Sequence, residues 1–303
     1  MNAVEKGDFE AADRLIAGGE DVNAAFGECE TQLEVAAARG NAKGVRYLIS
    51  KGADINLKTG HPSRALRGAA WKNHLDCVQE ILSHFHDKKA RETAMVNAFV
   101  TAASGGAMDV VKALIEMKVD VNAHADERPW TYNRFTALQL VLSDAGGPDK
   151  VNFDMADFLI EHGVDVNTHI RYLLWETCLT HASASGQTEV VKYLIAKGAH
   201  FDRETGSPCH AIQEAASHSR LECVEEILSH FESEKARKTA MANAWVAAAS
   251  KEGFKSENRL EILKALADME VDVNARNADG KTALQVASEP EVVEYLKSVG
   301  AKK

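Results

Sequence analysis

The sequence predicts an all-α solenoid of stacked helix–turn–helix repeats running through all 303 residues. Three observations predict it. An aliphatic helical phrase ending in Asp-Val-Asn recurs along the chain. A Thr-led, Ala-rich phrase precedes it. Together they make a unit of about 33 residues, within the period range of solenoid arrays.

The first phrase reads LIAGGEDVN at 15–23, LISKGADIN at 48–56, LIEMKVDVN at 114–122, LIEHGVDVN at 159–167 and LADMEVDVN at 266–274, with LIAKGAHFD at 194–202 a degenerate copy. The aliphatic pair belongs on the buried face of a helix. Gly18, Lys51–Gly52, Gly163 and Gly198 mark the helix C-terminus, where glycine takes the left-handed conformation at least cost. Asp and Asn are expected to bond locally to the backbone and turn the chain. The β-branched residue between them is expected to point inward.

The second phrase includes TQLEVAAARG (31–40), FTALQLV (135–141), TCLTHASASG (177–186) and KTALQVA (281–287). Its Thr is an N-cap residue, accepting a hydrogen bond from an otherwise unpaired helical N–H. Its small alanines let the helix pack close to its neighbour.

Five close copies with matching upstream helices resemble the ankyrin-repeat family, and the resemblance covers essentially 1–303. The family's T-P-L-H-x-A-A signature is weakened, since no copy keeps both Pro and His, whereas the GADVN ending is nearly intact. The resemblance implies an ankyrin-type solenoid of about nine motifs, starting near residues 1, 29, 61, 92, 132, 173, 207, 238 and 279. The opening motif lacks its Thr-led half and the last is trimmed. Residues 1–28 and 279–303 are therefore assigned as polar caps.

A longer period is superimposed. Residues 82–104 match 228–250 with 16 of 23 positions identical, an offset of 146 residues. The chain thus reads as a tandem duplication of a four-repeat block, with a first block at 29–172 and a second at 173–278. In each block the second repeat lacks GADVN. A charged segment (DKKARETAM, SEKARKTAM) leads straight into the next helix, which predicts longer helices and a missing hairpin finger there.

Composition narrows the function. A net charge of -10 opposes binding to phosphate backbones and anionic lipid, so neither nucleic acid nor membrane is expected as a partner. No stretch approaches the ~20 apolar residues of a membrane span, and the N-terminus has no apolar leader segment. Five cysteines without a CxxC pair fit reduced thiols in the cytoplasm or nucleus. His84 and His86 (SHFH) are spaced for zinc, but the duplicate reads SHFE and no cysteine is near, so no metal or other cofactor is expected. His61 and His210 are read as structural. No carboxylate pair, Cys–His signature or Gly-rich phosphate loop indicates catalysis.

The fingers carry the candidate site. Segment 123–135, AHADERPWTYNRF, is about six residues longer than its duplicate at 275–281, and the next finger, 168–176, reads THIRYLLWE. Arg128, Trp130, Tyr132, Arg134, His169, Arg171, Tyr172 and Trp175 gather there, with two of the four Trp and two of the five Tyr of the chain. Trp, Tyr and Arg dominate binding hot spots. Phe135, Leu173, Leu174 and Trp175 also suit a small core over the helix ends. A second insertion, 143–154, reads as a solvent loop. The expected function is a monomeric interaction scaffold or adaptor that takes another protein or peptide on the concave face and fingers, basic partner surfaces being favoured. The alternative is a small-molecule or enzymatic pocket lined by the aromatics of 123–135 and 168–176.

Overall fold

A computed structural model describes residues 2–26, 30–55, 64–125, 135–143, 151–168, 177–201, 210–250 and 259–302. The chain divides into two compact units, one formed mainly by Met1–Asp165 and the other mainly by Leu173–Lys303. The first contains α1 (Asn2–Lys6), α2 (Phe9–Ala17), the two-residue strands β1 (Ala25–Phe26) and β2 (Glu30–Thr31), α3 (Gln32–Ala38), α4 (Ala42–Ser50), α5 (Arg64–Trp71), α6 (Leu75–Ser83), α7 (Lys88–Ser104), α8 (Met108–Glu116), α9 (Ala137–Val141) and α10 (Phe153–Glu161). The second contains α11 (Cys178–Ser185), α12 (Thr188–Ala196), α13 (His210–Ser217), α14 (Leu221–Ser229), α15 (Glu234–Ala249), α16 (Arg259–Asp268), α17 (Ala283–Val286) and α18 (Pro290–Ser298). β1 and β2 form an antiparallel hairpin with Ala25 opposite Thr31.

Odd-numbered helices make an inner layer in each unit: α3, α5, α7 and α9 contact in succession, as do α11, α13, α15 and α17. Even-numbered helices form the outer layer, with α4 against α6 and α6 against α8 in the first unit, and α12 against α14 in the second. Alanine makes the inner layer possible. Ala36–Ala37, Ala69–Ala70, Ala102–Ala103 and Ala215–Ala216 are buried where adjacent helices meet, and a larger side chain there would hold the backbones apart. The outer helices fill the remaining space with Val45 and Leu48, Val78 and Ile81, Val110 and Leu114.

The Thr caps form as expected. Thr31, Thr136 and Thr177 each accept from the backbone N–H three residues on, and Glu34, Gln139 and Thr180 return a bond to the cap residue's own N–H. The left-handed residues also fall where the phrase places them: Gly52, Gly163 and Gly198 have φ of 91°, 93° and 87°. In the first motif, however, Gly18 has an ordinary φ of -75° and Gly19 is left-handed at 97°. The repeats that lack Gly place Lys118 and Glu270 at this position, with φ of 63° and 61°.

The Asp-Val-Asn turn departs from expectation in two ways. Asp does act locally, since Asp21, Asp120 and Asp272 accept from the N–H two residues on. Asn instead reaches the next motif. Asn122 donates from Nδ2 to the Gly163 carbonyl (3.1 Å) and accepts from the Asp165 N–H (2.8 Å). Asn23 does the same to Gly52 and Asp54, Asn167 to Gly198 and His200, and Asn274 to Gly300 and Lys302. The residue before Asp is the more consistently inward one: Ala53, Val119, Val164 and Val271 are buried, whereas of the residues between Asp and Asn, Val166 is buried as expected and Val22, Ile55, Val121 and Val273 are half-buried.

The repeats without GADVN carry long helices, α7 of 17 residues and α15 of 16. Phe85, His86 and Asp87 lead from the end of α6 straight into α7, leaving no room for a finger. The starts of α3 to α7 and of α11 to α15 keep the offset of 146 residues. Two details correct the sequence reading. The opening motif does have an inner helix, the short α1, whose Val4 is buried. The end of the 143–154 insertion is helical rather than loop, because the Asn152 side chain caps α10 by accepting from the Met155 N–H.

Candidate interaction surface

On the first unit's inner layer, α5 separates two kinds of residue by helical position. Ala65, Leu66, Ala69 and Ala70 are buried, while Arg64, Arg67, Gly68 and Trp71 share the opposite stripe, at relative positions 0, 3, 4 and 7. Trp71, at 48% exposure, is the exposed large apolar side chain among the described residues.

Close approaches hold this stripe. A Cβ at Gly68 would sit 3.3 Å from the Ala38 side chain, so α5 lies tight against α3. A Cβ at Gly105 would sit 2.8 Å from the Trp71 carbonyl oxygen and 3.1 Å from its indole, so the ring rests on the turn between α7 and α8. That turn is secured across repeats, since Asn73 donates to Asp109 (2.8 Å) and accepts from the Val110 N–H (3.2 Å), capping α8 where Ala107 offers no side chain. His74 bonds back to the Ala38 carbonyl. The indole is thus presented on a rigid support, a form that suits a binding anchor.

Arg64, Arg67 and Lys72 stand along this segment, with Asp76 following and the Asp109 carboxylate held by Asn73. Arg39, at the end of α3, pairs with Glu5.

In the second unit, the same stripe of α13 carries His210, Gln213, Glu214, Ser217 and His218. Burial holds the His210 imidazole below its ordinary pKa, against the opposing charge of Glu214. The 275–281 finger is fixed to α15: Asn243 accepts from the Ala278 N–H (3.1 Å) and the Trp245 indole donates to the Val273 carbonyl (3.3 Å). Finger and inner helices bound an open cleft of about 910 Å³ whose lining includes Glu214, Ser217, Asn243, Arg276 and Lys281. It mixes both signs of charge.

The eight residues chosen from sequence, Arg128, Trp130, Tyr132, Arg134, His169, Arg171, Tyr172 and Trp175, lie outside the described residues. So does His61. The flanks of the longer finger are described, and the Ala125 N–H donates to the Phe135 carbonyl (3.2 Å). The α5 stripe was missed by sequence reasoning, which attended to fingers. Its signal is present in the letters: the polar and aromatic residues of RALRGAAW fall on one helical stripe and the small apolar ones on the other.

Other chemistry-bearing residues have structural partners. His84 lies 3.4 Å from Glu80, which also takes the Arg46 guanidinium and is held below the usual carboxylate range by it. His86 is exposed, and among the described residues no three His, Cys, Asp or Glu side chains are grouped to hold a metal ion. Cys77, Cys178 and Cys223 are buried and stand outside any disulfide; burial pushes Cys77 up to about 11 and raises Cys223. No helix among the described residues is long and apolar enough to cross a membrane.

Comparison with known proteins gives consistent matches. The family model for ankyrin repeats in three copies matches residues 66–170 and 150–240, and the single ankyrin repeat model matches 33–60. The ankyrin repeat and KH domain-containing protein mask-1 of Caenorhabditis elegans is 29% identical over 154 residues, which are 51% of this chain and 5% of that protein. A Caenorhabditis briggsae protein of the same description, CBG24701, is 29% identical over 149 residues, 48% of this chain and 5% of its own length. The chain therefore spans a small fraction of these relatives. Similar solved structures include the human ASB11 ankyrin repeat domain, at 18% identity and a TM-score of 0.40 over 90% of this chain and 100% of that one. The ankyrin repeat domain of Bcl-3 aligns at 18% identity and a TM-score of 0.47 over 97% and 96%.

Proposed function

The chain belongs to the ankyrin repeat family, and from that premise we propose that it is an interaction scaffold or adaptor, taking a partner protein or peptide on the solvent face of its inner helices and on its fingers. The observation that carries the reading is Trp71, an aromatic side chain left exposed on a supported surface that its own helix does not need for packing. A scaffold of buried alanines with solvent-facing variation suits recognition, because the exposed residues change without disturbing the stack. Arg128, Trp130, Tyr132, Arg134, His169, Arg171, Tyr172 and Trp175 are proposed to extend this surface through the fingers. The protein is proposed to act as a monomer in the cytoplasm or nucleus, as a duplicated four-repeat block whose two halves have diverged on their exposed faces.

The test is affinity capture from source-cell lysate, followed by cross-linking and mass spectrometry. Wild type is compared with a Trp71→Ser variant and a Trp130→Ala, Tyr132→Ala, Arg171→Ala variant. The expected result is a protein cross-linked to the inner layer or fingers and depleted in a variant that still unfolds like wild type. Equal recovery by all three chains, or retention of a small molecule with no protein, would overturn the reading.

A further inference from the structure

We propose that the second unit's cleft, between the 275–281 finger and α13, α15 and α17, takes an uncharged, extended peptide segment of a partner and holds it by its main-chain carbonyls; this rests on the reading of the chain as an interaction scaffold. Three observations combine. The first is the donor set. Three successive inner helices each offer one carboxamide to this cleft: Gln213 from α13, Asn243 from α15 and Gln285 from α17. Much of their bonding capacity is unspent within the fold. Asn243 uses its Oδ1, on the Ala278 N–H, and Gln285 its Oε1, on the Thr282 N–H. Gln213 makes no side-chain hydrogen bond among the described residues. Three NH2 groups are therefore left to donate to a ligand, and carbonyl oxygens are their complement. Asn243 is buried, and its bond to the finger fixes its amide in advance of binding.

The second observation is charge. The lining holds two cations, Arg276 and Lys281, and two carboxylates, Glu214 and Asp279. Several of these are already engaged: Arg276 donates to the Gly280 carbonyl (2.6 Å), Glu214 has His218 beside it (3.6 Å) and Asp279 takes the Asn277 amide (3.4 Å). Neither sign prevails, so the cleft gives no net attraction to an ionic ligand or a phosphate backbone. A peptide main chain is neutral, and Val246, Ala247 and Val286 offer it room for an aliphatic side chain. The third observation is internal. At the offset of 146 residues Gln213 corresponds to Arg67 and Gln285 to Gln139, which is buried whereas Gln285 is exposed. The buried positions of α5 and α13 are nearly unchanged: Ala65, Leu66, Ala69 and Ala70 against Ala211, Ile212, Ala215 and Ala216. Packing therefore does not dictate Gln213, and the set of three open amides belongs to the second copy.

The experiment is selection, on the full chain, from a displayed library of random peptides of about twelve residues, which when extended cross three helices packed roughly 10 Å apart. Enriched peptides are then bound to two variants. One carries Gln213→Glu and Gln285→Glu, which removes two NH2 donors and keeps side-chain shape. Its α17 cap survives, because Glu34 fills the same role for Thr31. The other carries Gln213→Ala alone, at a half-buried position. Matching thermal unfolding shows that both variants fold.

The expected result is enrichment of peptides near neutral net charge, binding about tenfold or more weaker to the double variant and several-fold weaker to Gln213→Ala. Their affinity changes little with salt, because no net charge is being screened. Replacing single peptide bonds of an enriched peptide by esters weakens the carbonyl acceptor. Those replacements should cost at least as much as alanine at its side chains, the aliphatic position excepted. Enriched peptides of high net charge, a steep salt dependence, insensitivity to the esters, or equal binding to wild type and variants would each sink this inference while leaving the scaffold reading standing. No enrichment at all would also sink it, and the lysate capture would then decide the broader reading.

Discussion

Replacing Lys118 and Glu270 with glycine should stabilise this protein, although glycine ordinarily weakens helical structure. Both residues end an outer helix in the left-handed region, at φ of 63° and 61°. Both side chains are exposed, and the backbone bonds at these sites, Lys118 N–H to Ile115 and Glu270 N–H to Ala267, are those that Gly52, Gly163 and Gly198 make in the regular repeats. Holding an L-residue there costs about 1–2 kcal/mol. Glycine removes that strain but gains about 0.5–1 kcal/mol of unfolded-chain entropy. The difference is a net stabilisation of about 0.5–1 kcal/mol per site. Because the sites lie in different compact units, their effects should add.

The converse control is equally clean. A Cβ at Gly163 or Gly198 would meet nothing within 4 Å, so Ala there tests backbone conformation without a clash. Each Ala substitution should destabilise by about 1 kcal/mol. Urea midpoints and thermal scans by circular dichroism measure all four variants. Gains of about 2 °C per glycine and losses of similar size per alanine are expected. A neutral Gly163→Ala together with a destabilising Lys118→Gly would refute the reasoning, because the left-handed φ would then carry no cost.

Three further outcomes follow from the same structure. Asn122→Ala removes two bonds between successive motifs and should cost about 1–2 kcal/mol, with faster hydrogen exchange at the Asp165 amide; unchanged exchange there would contradict the bridge. Glu80 is held below its ordinary pKa first by the Arg46 hydrogen bond, so the unfolded chain takes up the proton more readily; the stability it contributes is full above about pH 4.5 and is lost as the pH falls below it. Glu80→Gln should therefore flatten the acid limb of a stability-versus-pH curve, and a limb as steep as wild type would count against the pair. Cys77 and Cys223 are fully buried with raised pKa values, so a thiol reagent at pH 8 should label them only after denaturant is added, as peptide mapping can read.

Repeat class, cap positions and the long helices were legible in the letters because each depends on contacts close in sequence. Thr31 and Glu34 are three residues apart, and the left-handed Gly52 closes its own helix. The absence of Asp-Val-Asn after Leu82 announced α7 for the same reason. What escaped was relational. The Asn of each turn reads as a local turn-former, yet Asn122 bonds to Gly163 and Asp165 in the following motif. Gly105 reads as a helix end, yet its missing Cβ makes room for Trp71 of the preceding motif. The eight finger residues selected for their chemistry stand outside the described residues, and the stripe that carries the functional reading came from helical register and burial.

The sequence by itself determined that the recurring phrases form helices and that they stack as a repeat array, since a period of about 33 residues encodes a unit unable to bury its apolar face alone. Only the tertiary structure decided which side chains the stack leaves in solvent. Exposure depends on the neighbouring repeat as well as on the helix itself: Leu66 and Trp71 are both large and apolar on α5, and Leu66 is buried while Trp71 stays 48% exposed because the adjoining helices cover one side of α5 more fully than the other.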